Sequence, residues 1–339
     1  LTGSAYADRI EGGGGADVLI GGVGNDSMNG GEGSDLYLIA LASDHLAAEI
    51  ADTGNAGVDE LRFTATSAGL LKLYAGDVGF ERVVLGTGSD AVADTTGTAA
   101  LNIDVSAVLK GITLVGNAGA NILTGTTYGD RIEGGDGADL LKGLAGTDSM
   151  NGGEGSDLYL ISRASEHTAA EFADTGSTGI DEVRFADTTA GTLKLYAGDR
   201  GIERVVLGTG TGEVATSTGT VALNIDALAV GNAITLIGNA GANLLTGTAY
   251  ADQIDGGSGA DRIVGGSGND TLIGGQGNDT LTGGDGADAF VFNTAPNAAS
   301  NKDTLIDFQA GSDHIDLNLL LFTALGGSAG DLSEEQFWA

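Results

Sequence analysis

An all-β solenoid is the fold class this sequence predicts, and three observations predict it. A nine-residue pattern repeats in phase, with glycine at its turn positions, Asp at position six and a large apolar residue at position eight. The blocks that carry it begin at Gly3, Gly125 and Gly247, an interval of 122 residues each time. Between the blocks, apolar runs are short, β-branched and bounded by Gly, Thr and Asp, as strands are.

Composition narrows the class. The 339 residues include 61 Gly but one Pro, which excludes collagen. Acidic residues outnumber basic ones 47 to 14, for a net charge of −33. Such a surface repels nucleic acid and anionic membrane and attracts cations. At 41% apolar, the chain is too hydrophobic for a disordered acidic tail. Without Cys there is no disulfide, thiolate metal site or cysteine nucleophile. No apolar run approaches the ~18 residues of a membrane span. No basic-then-apolar start is visible, so no amino-terminal signal peptide is read.

The elements follow in order. Residues 1–38 hold GSAYADRIE, GGGGADVLI, GGVGNDSMN and GGEGSDLYL, with Asp8, Asp17, Asp26 and Asp35 at position six. Position eight is Ile10, Leu19, Met28 and Tyr37, the side chains expected to point inward. Residues 39–115 contain the strand-like runs LRF, LKLY, ERVVLG, LNID and ITLVG, which read as longer solenoid coils. Within them SDHLAAEIAD fits a short helix or an irregular coil. Residues 116–160 open with GNAGANILT, where Asn121 takes position six, and continue through Asp130, Asp139, Asp148 and Asp157. Residues 161–237 duplicate the longer coils. Residues 238–292 carry Asn243, Asp252, Asp261, Asp270, Asp279 and Asp288. After Phe292 the pattern stops, Pro296 marks an exit loop, and residues 293–339 read as a capping segment.

Thirteen Asp-bearing repeats in phase make this chain resemble the RTX (repeats-in-toxin) family of bacterial exoproteins. The resemblance implies a right-handed parallel β-roll with two repeats per turn, so residues 18 apart stack. Calcium takes six to eight hard oxygen ligands, and stacked turns present carboxylates and carbonyls in a row. The expected pairs are Asp8 with Asp26, Asp17 with Asp35, Asn121 with Asp139, Asp130 with Asp148, and Asp139 with Asp157. In the third block they are Asn243 with Asp261, Asp252 with Asp270, Asp261 with Asp279, and Asp270 with Asp288. By the same resemblance, the Asp261–Asp279 site adds carbonyls of Gly257, Gly259, Gly274 and Gln276, and the Asp270–Asp288 site those of Gly266, Gly268, Gly283 and Asp285. The Asn repeats keep an oxygen but lose a charge, so their sites should be weaker. About nine Ca2+ ions would offset roughly 18 of the negative charges, and the calcium-free roll should be largely unfolded.

The rest of the chain is read more plainly. Long RTX insertions carry extra acidic ligands, which raises Glu49, Asp59, Glu171 and Asp181, but we read these as solvated acids on a coil rim. DTLIDFQAGSDHIDLNLLLF resembles the cap after the roll in serralysin-type proteases and alginate-epimerase R modules, with Asp307 and Asp313 in a structural role. Ser333 and Gln336 fit a helix capping box. Type I exoproteins carry an export signal at the carboxy terminus, which this tail would hold only in part. Leu1-Thr2 matches the end of a preceding repeat, as in a segment cut from a longer array.

No active site is read. His45, His167 and His314 form no cluster in sequence, and H-E-x-x-H and G-x-S-x-G are absent. Tyr37 and Tyr159 sit at core positions. The leading expectation is a calcium-binding module of a larger secreted, extracellular protein of a Gram-negative bacterium, supporting type I secretion. The alternatives are a calcium-rigidified adhesin or surface-layer segment, and a carbohydrate-binding module. Expected partners are calcium, the type I secretion machinery, and a surface glycan or other copies of the parent protein. Neither nucleic acid nor a membrane span is expected.

Overall fold

The computed structural model describes residues 1–295, 297, 299–318, 320 and 321. Its strand pairs are parallel, and the helical segments among the described residues are two 3₁₀ turns, Ala42–Asp44 and Ala164–Glu166. The ambiguous SDHLAAEIAD segment is therefore a single 3₁₀ turn followed by irregular coil. Two compact bodies divide the chain: residues 1–184 with 198–202, and residues 185–197 with 203 onward.

In the first body, strands 18 residues apart lie side by side, as Arg9–Gly14 does on Ser27–Glu32 and Arg131–Asp136 on Ser149–Glu154. Position eight builds the core. Leu19 pairs with Tyr37, then Leu61, Val83, Leu114, Ile132 and Met150 follow in register, each at most 1% exposed. A second buried column runs Leu71, Ile103, Leu123, Leu141, Tyr159. Each aliphatic rung contributes roughly 1.5–3 kcal/mol of burial. Between Tyr37 and Leu114 the rise from one rung to the next takes 24, 22 and 31 residues rather than 18, yet the ladder is unbroken. The extra residues are looped out, so the coils between the blocks continue the solenoid.

The second body repeats the plan. One column is Leu193, Ile225, Leu245, Ile263, Leu281 and Leu305; the other is Val205, Leu236, Ile254, Leu272, Phe290 and Ile315. Sequence reading ends the pattern at Phe292, but pairing continues beyond it. Thr304–Leu305 adds to the strand Thr280–Asp285, and His314–Leu317 adds to Ala289–Phe292. Pro296, Ser333 and Gln336 lie outside the described residues.

Candidate metal centres

Each nonapeptide turn is shaped by two different uses of glycine. In ten of the fifteen nonapeptides positions two and four take positive φ, as at Gly257 (87°) and Gly259 (126°). Position one does not; there glycine leaves space. A Cβ built on Gly256 would lie 2.6 Å from Asp261 Oδ2 and 2.6 Å from the carbonyl oxygen of Gly274. The same cradle recurs at Gly12, where Asp17 Oδ2 and Gly30 O converge, at Gly134 with Asp139 Oδ2 and Gly152 O, and at Gly265 with Asp270 Oδ2 and Gly283 O. A carboxylate oxygen of one turn and a carbonyl of the turn above thus face one small space.

In each 18-residue stack one hydrogen bond reaches the position-six carboxylate, beside the backbone bond that the position-six carbonyl accepts from the strand above. The position-six N–H of the lower turn donates to Oδ1 of the Asp above: Asp8 to Asp26 at 2.9 Å, Asp17 to Asp35 at 2.7 Å, Asn121 to Asp139 at 2.7 Å. Asp130 donates to Asp148, Asp139 to Asp157, Asn243 to Asp261, Asp252 to Asp270, Asp261 to Asp279 and Asp270 to Asp288, all at 2.7–2.9 Å. The geometry therefore brings together all nine expected pairs.

The second carboxylate oxygen divides the repeats into two kinds. In Asp17, Asp26, Asp35, Asp139, Asp148, Asp157, Asp261, Asp270, Asp279 and Asp288, Oδ2 is buried without a hydrogen-bond partner. An unpartnered buried carboxylate oxygen costs several kcal/mol unless a cation meets it. In the other five repeats the position-six side chain is saturated from within. Asp130 Oδ2 accepts the N–H of Thr126 at 2.6 Å and Asp252 Oδ2 that of Thr248 at 2.6 Å, each with the threonine hydroxyl; Ser4 does the same for Asp8. Asn121 Oδ1 accepts the Asn117 N–H at 2.9 Å, and its Nδ2 donates to Leu101 O and Asn117 Oδ1. Asn243 repeats this with Asn239 and Leu223. Where a weaker oxygen site was expected, the Asn repeats thus present N–H donors with their own partners.

Position two separates the kinds. All ten unpartnered aspartates follow a position-two residue with positive φ: Gly13, Gly22, Gly31, Gly135, Leu144, Gly153, Gly257, Gly266, Gly275 and Gly284. Ser4, Asn117, Thr126, Asn239 and Thr248 do not adopt it. The ordinary conformation turns the position-two N–H onto Oδ2; the left-handed one turns it away.

Burial acts on these carboxyls as expected for charge without a counter-ion. Desolvation pushes Asp139 up to about 8, and Asp148, Asp157, Asp261 and Asp270 up to about 7 each, against the hydrogen bond each accepts from the turn below. Neighbouring carboxylates add to several of these shifts, as Asp157 does for Asp139 and Asp288 for Asp270. The donor set is hard oxygen alone, which suits calcium or magnesium rather than soft metals. Of the expected carbonyls, Gly274 and Gly283 point into the cradles, while Gln276 O and Asp285 O accept N–H bonds from Gly259 and Gly268. Gly257 O accepts from Gln276 N–H, and Gly266 O lies close to Gly284. A carbonyl has a second lone pair, so such bonds leave ligand capacity.

A family model of the RTX calcium-binding nonapeptide repeat matches the chain four times, over residues 2–37, 124–159, 237–272 and 264–293. The chain carries RTX-type calcium-binding repeats. A search of curated proteins finds no match to it. RTX repeats bind calcium and are typical of secreted proteins. Among the described residues no helix is long and apolar enough to cross a membrane.

The RTX stacks extend past the matched repeats, which sequence reading missed. Glu49, Asp59, Glu171 and Asp181, expected on a solvated rim, are 2–4% exposed. Asp59 Oδ1 accepts the Asp35 N–H at 2.7 Å, as an eleventh-hour repeat would, and Asp181 does so for Asp157 at 2.8 Å. The signal was present: GNAGVDELR and GSTGIDEVR keep Gly at one and four, Asp at six and an apolar residue at eight. Glu81 continues the first stack through the Asp59 N–H, and Lys110 Nζ meets Glu81 at 2.7 Å, so an ammonium ends that acidic row. On the other side Glu49 stands near Asp26, with Oε1 buried and unpartnered, as is Glu171 Oε1 near Asp148.

Two of the three histidines, His45 and His167, sit behind these glutamates. His45 bridges Glu49 (3.2 Å) and Asp77 (3.0 Å), and His167 bridges Glu171 (3.1 Å) and Asp199 (3.0 Å). Burial opposes an imidazolium, but both acidic partners favour it and hold His167 up at about 9. Asp307 accepts the N–H groups of Gly283 and Gly284, and Asp313 that of Asp288, roles that order the turns.

Proposed function

We propose that this chain is a calcium-triggered folding module of a secreted bacterial protein. The ten buried, unpartnered aspartate oxygens are the observation that carries this reading. Without cations their mutual repulsion and desolvation oppose folding; with cations the same oxygens become ligands, so binding free energy is folding free energy. In this reading the chain passes a type I export channel unfolded at low calcium and folds outside the cell. The principal ions lie in the pairs with a free lower oxygen: Asp17–Asp35, Asp139–Asp157, Asp261–Asp279 and Asp270–Asp288. The five pairs whose lower member is Asp8, Asn121, Asp130, Asn243 or Asp252 take ions weakly or not at all, so the nonapeptide pairs hold fewer than nine ions tightly. We assign the chain no catalytic role.

A calcium-rigidified adhesin or surface-layer segment is the second reading. It is favoured by the long duplicated coils, whose strands continue the ladder over rungs of 22 and 31 residues, outside the 18-residue period. The complete gene separates the two, by a catalytic domain or by further repeats.

Circular dichroism during a calcium titration tests the folding role. Cooperative gain of β-structure with calcium, and poor substitution by magnesium because of its smaller octahedral shell, are expected. Full β-content in excess chelator at neutral pH would rule the reading out.

A further inference from the structure

One acidic cluster differs from every two-carboxylate stack. Asp35, Asp52 and Asp59 each place a carboxylate oxygen within 4.8 Å of the other two, and all three are buried. Asp35 is 1% exposed, and its Oδ2 has no hydrogen-bond partner. Asp52 belongs to no nonapeptide. It is fixed by the N–H groups of Gly54 (2.8 Å) and Gly31 (3.3 Å) on Oδ1, and by the Tyr37 hydroxyl on Oδ2 at 2.5 Å. Tyr37 is itself held by the Gly30 N–H at 2.6 Å. The charges that act on Asp59 come from Asp52, Glu81 and Asp35, all acids.

We propose that Asp35, Asp52 and Asp59 form a three-carboxylate site for a calcium-sized divalent cation, and that Asp157, Asp174 and Asp181 repeat it in the duplicated segment. The second cluster has the same geometry: three buried carboxylates within 4.8 Å, Asp157 Oδ2 unpartnered, and Tyr159 donating to Asp174 Oδ2 at 2.7 Å from a ring held by the Gly152 N–H. The inference deepens the calcium reading and rests on it. A third carboxylate raises ligand charge, and affinity in oxygen sites follows charge count and rigidity. These two sites therefore fill first as calcium rises. They stand where the nonapeptides give way to the longer coils, so they would lock the regular turns to the irregular ones. The phenol at position eight acquires a purpose as well. Tyr37 and Tyr159 are positioning residues whose hydroxyls aim the third carboxylate.

The test is calcium binding to the whole chain by calorimetry and equilibrium dialysis, with circular dichroism to confirm folding at saturating calcium. Asp52→Asn with Asp174→Asn should remove or strongly weaken the two tightest ions while the remaining isotherm is kept. An unchanged stoichiometry and midpoint would overturn the three-carboxylate site but leave the nonapeptide reading intact. Wild-type chain that binds no calcium would sink both. Should the double Asn variant fail to fold, Tyr37→Phe with Tyr159→Phe decides, because it keeps every carboxylate. Loss of an outer-shell partner should weaken two ions about 10–100-fold. An isotherm identical to wild type for the phenylalanine pair would refute the proposal.

Discussion

Acid should substitute in part for calcium. In the second block, Asp139 titrates at about 8 and Asp148 and Asp157 at about 7 in the folded chain, all raised by burial. In the unfolded chain each returns to about 3.9. A raised folded value means that the folded state holds the proton more tightly. The stabilisation is therefore full below about pH 4 and is lost as pH rises through about 7 to 8. Between about pH 8 and pH 5, a carboxyl at about 7 shifts folding by roughly 2.6 kcal/mol, and one at about 8 by roughly 3.6 kcal/mol. Three such groups give roughly 9 kcal/mol as a ceiling, because interacting carboxyls do not take up protons independently. That is comparable to the roughly 5–15 kcal/mol that holds a whole domain. In chelator, then, β-structure should be least at about pH 8 and should rise as pH falls to about 5, where the chain still carries net negative charge. The calcium requirement should follow the opposite course. Circular dichroism in excess chelator across this range checks it, with sedimentation to confirm that no aggregate forms. Equal β-content at both pH values, or loss of structure on mild acidification, would refute the argument that uncompensated buried carboxylates keep the calcium-free chain unfolded.

Further outcomes follow from single turns. Thr248→Gly should release Asp252 Oδ2 from its 2.6 Å bond and add one ion by calorimetry; an unchanged ion count would mean that position two does not decide the site. Gly256→Ala places a methyl 2.6 Å from Asp261 Oδ2 and Gly274 O and should abolish that site, whereas Gly231→Ala, with open space around it, should leave the calcium midpoint unmoved. Leu144 holds φ at 72° where every equivalent left-handed position is glycine, so Leu144→Gly should stabilise the calcium-bound fold by about 1 kcal/mol in denaturant titration. Leu272→Ala, a fully buried side chain between the equally buried Ile254 and Phe290, should cost about 2–5 kcal/mol by the same measurement.

Much of this molecule could be read from period alone, because period is what a solenoid repeats. The spacing that puts Asp261 and Asp279 two repeats apart also sets Ile263 beside Leu281, so one count locates both the site and the core. The count failed where the period changed. GNAGVDELR carries every feature of the repeat, but six extra residues in the preceding coil take Asp59 out of phase with Asp35, and its carboxylate was read as a rim acid. Register depends on the length between paired strands only through what can be looped out, so phase in sequence is stricter than phase in space. Asp52 lay further beyond reach. No repeat contains it, and only the folded chain brings it to Asp35 and Tyr37.

The least legible feature is the one with most bearing on chemistry. The series Asp8, Asp17, Asp130 and Asp139 reads as uniform, because each stands at position six of its repeat. In the folded chain Oδ2 of Asp8 and of Asp130 accepts hydrogen bonds from Ser4 and Thr126, and Oδ2 of Asp17 and of Asp139 has no partner. The difference originates four residues upstream, in whether position two lies in the left-handed region. Glycine there is therefore more than a concession to a tight turn. It withholds an N–H from the carboxylate and so leaves the oxygen in need of a cation. Leu144 makes the point most sharply, since it accepts backbone strain and its aspartate, Asp148, is still left unpartnered. The residue that binds the ion and the residue that makes it available are different ones, and the second is chosen for what it does not donate.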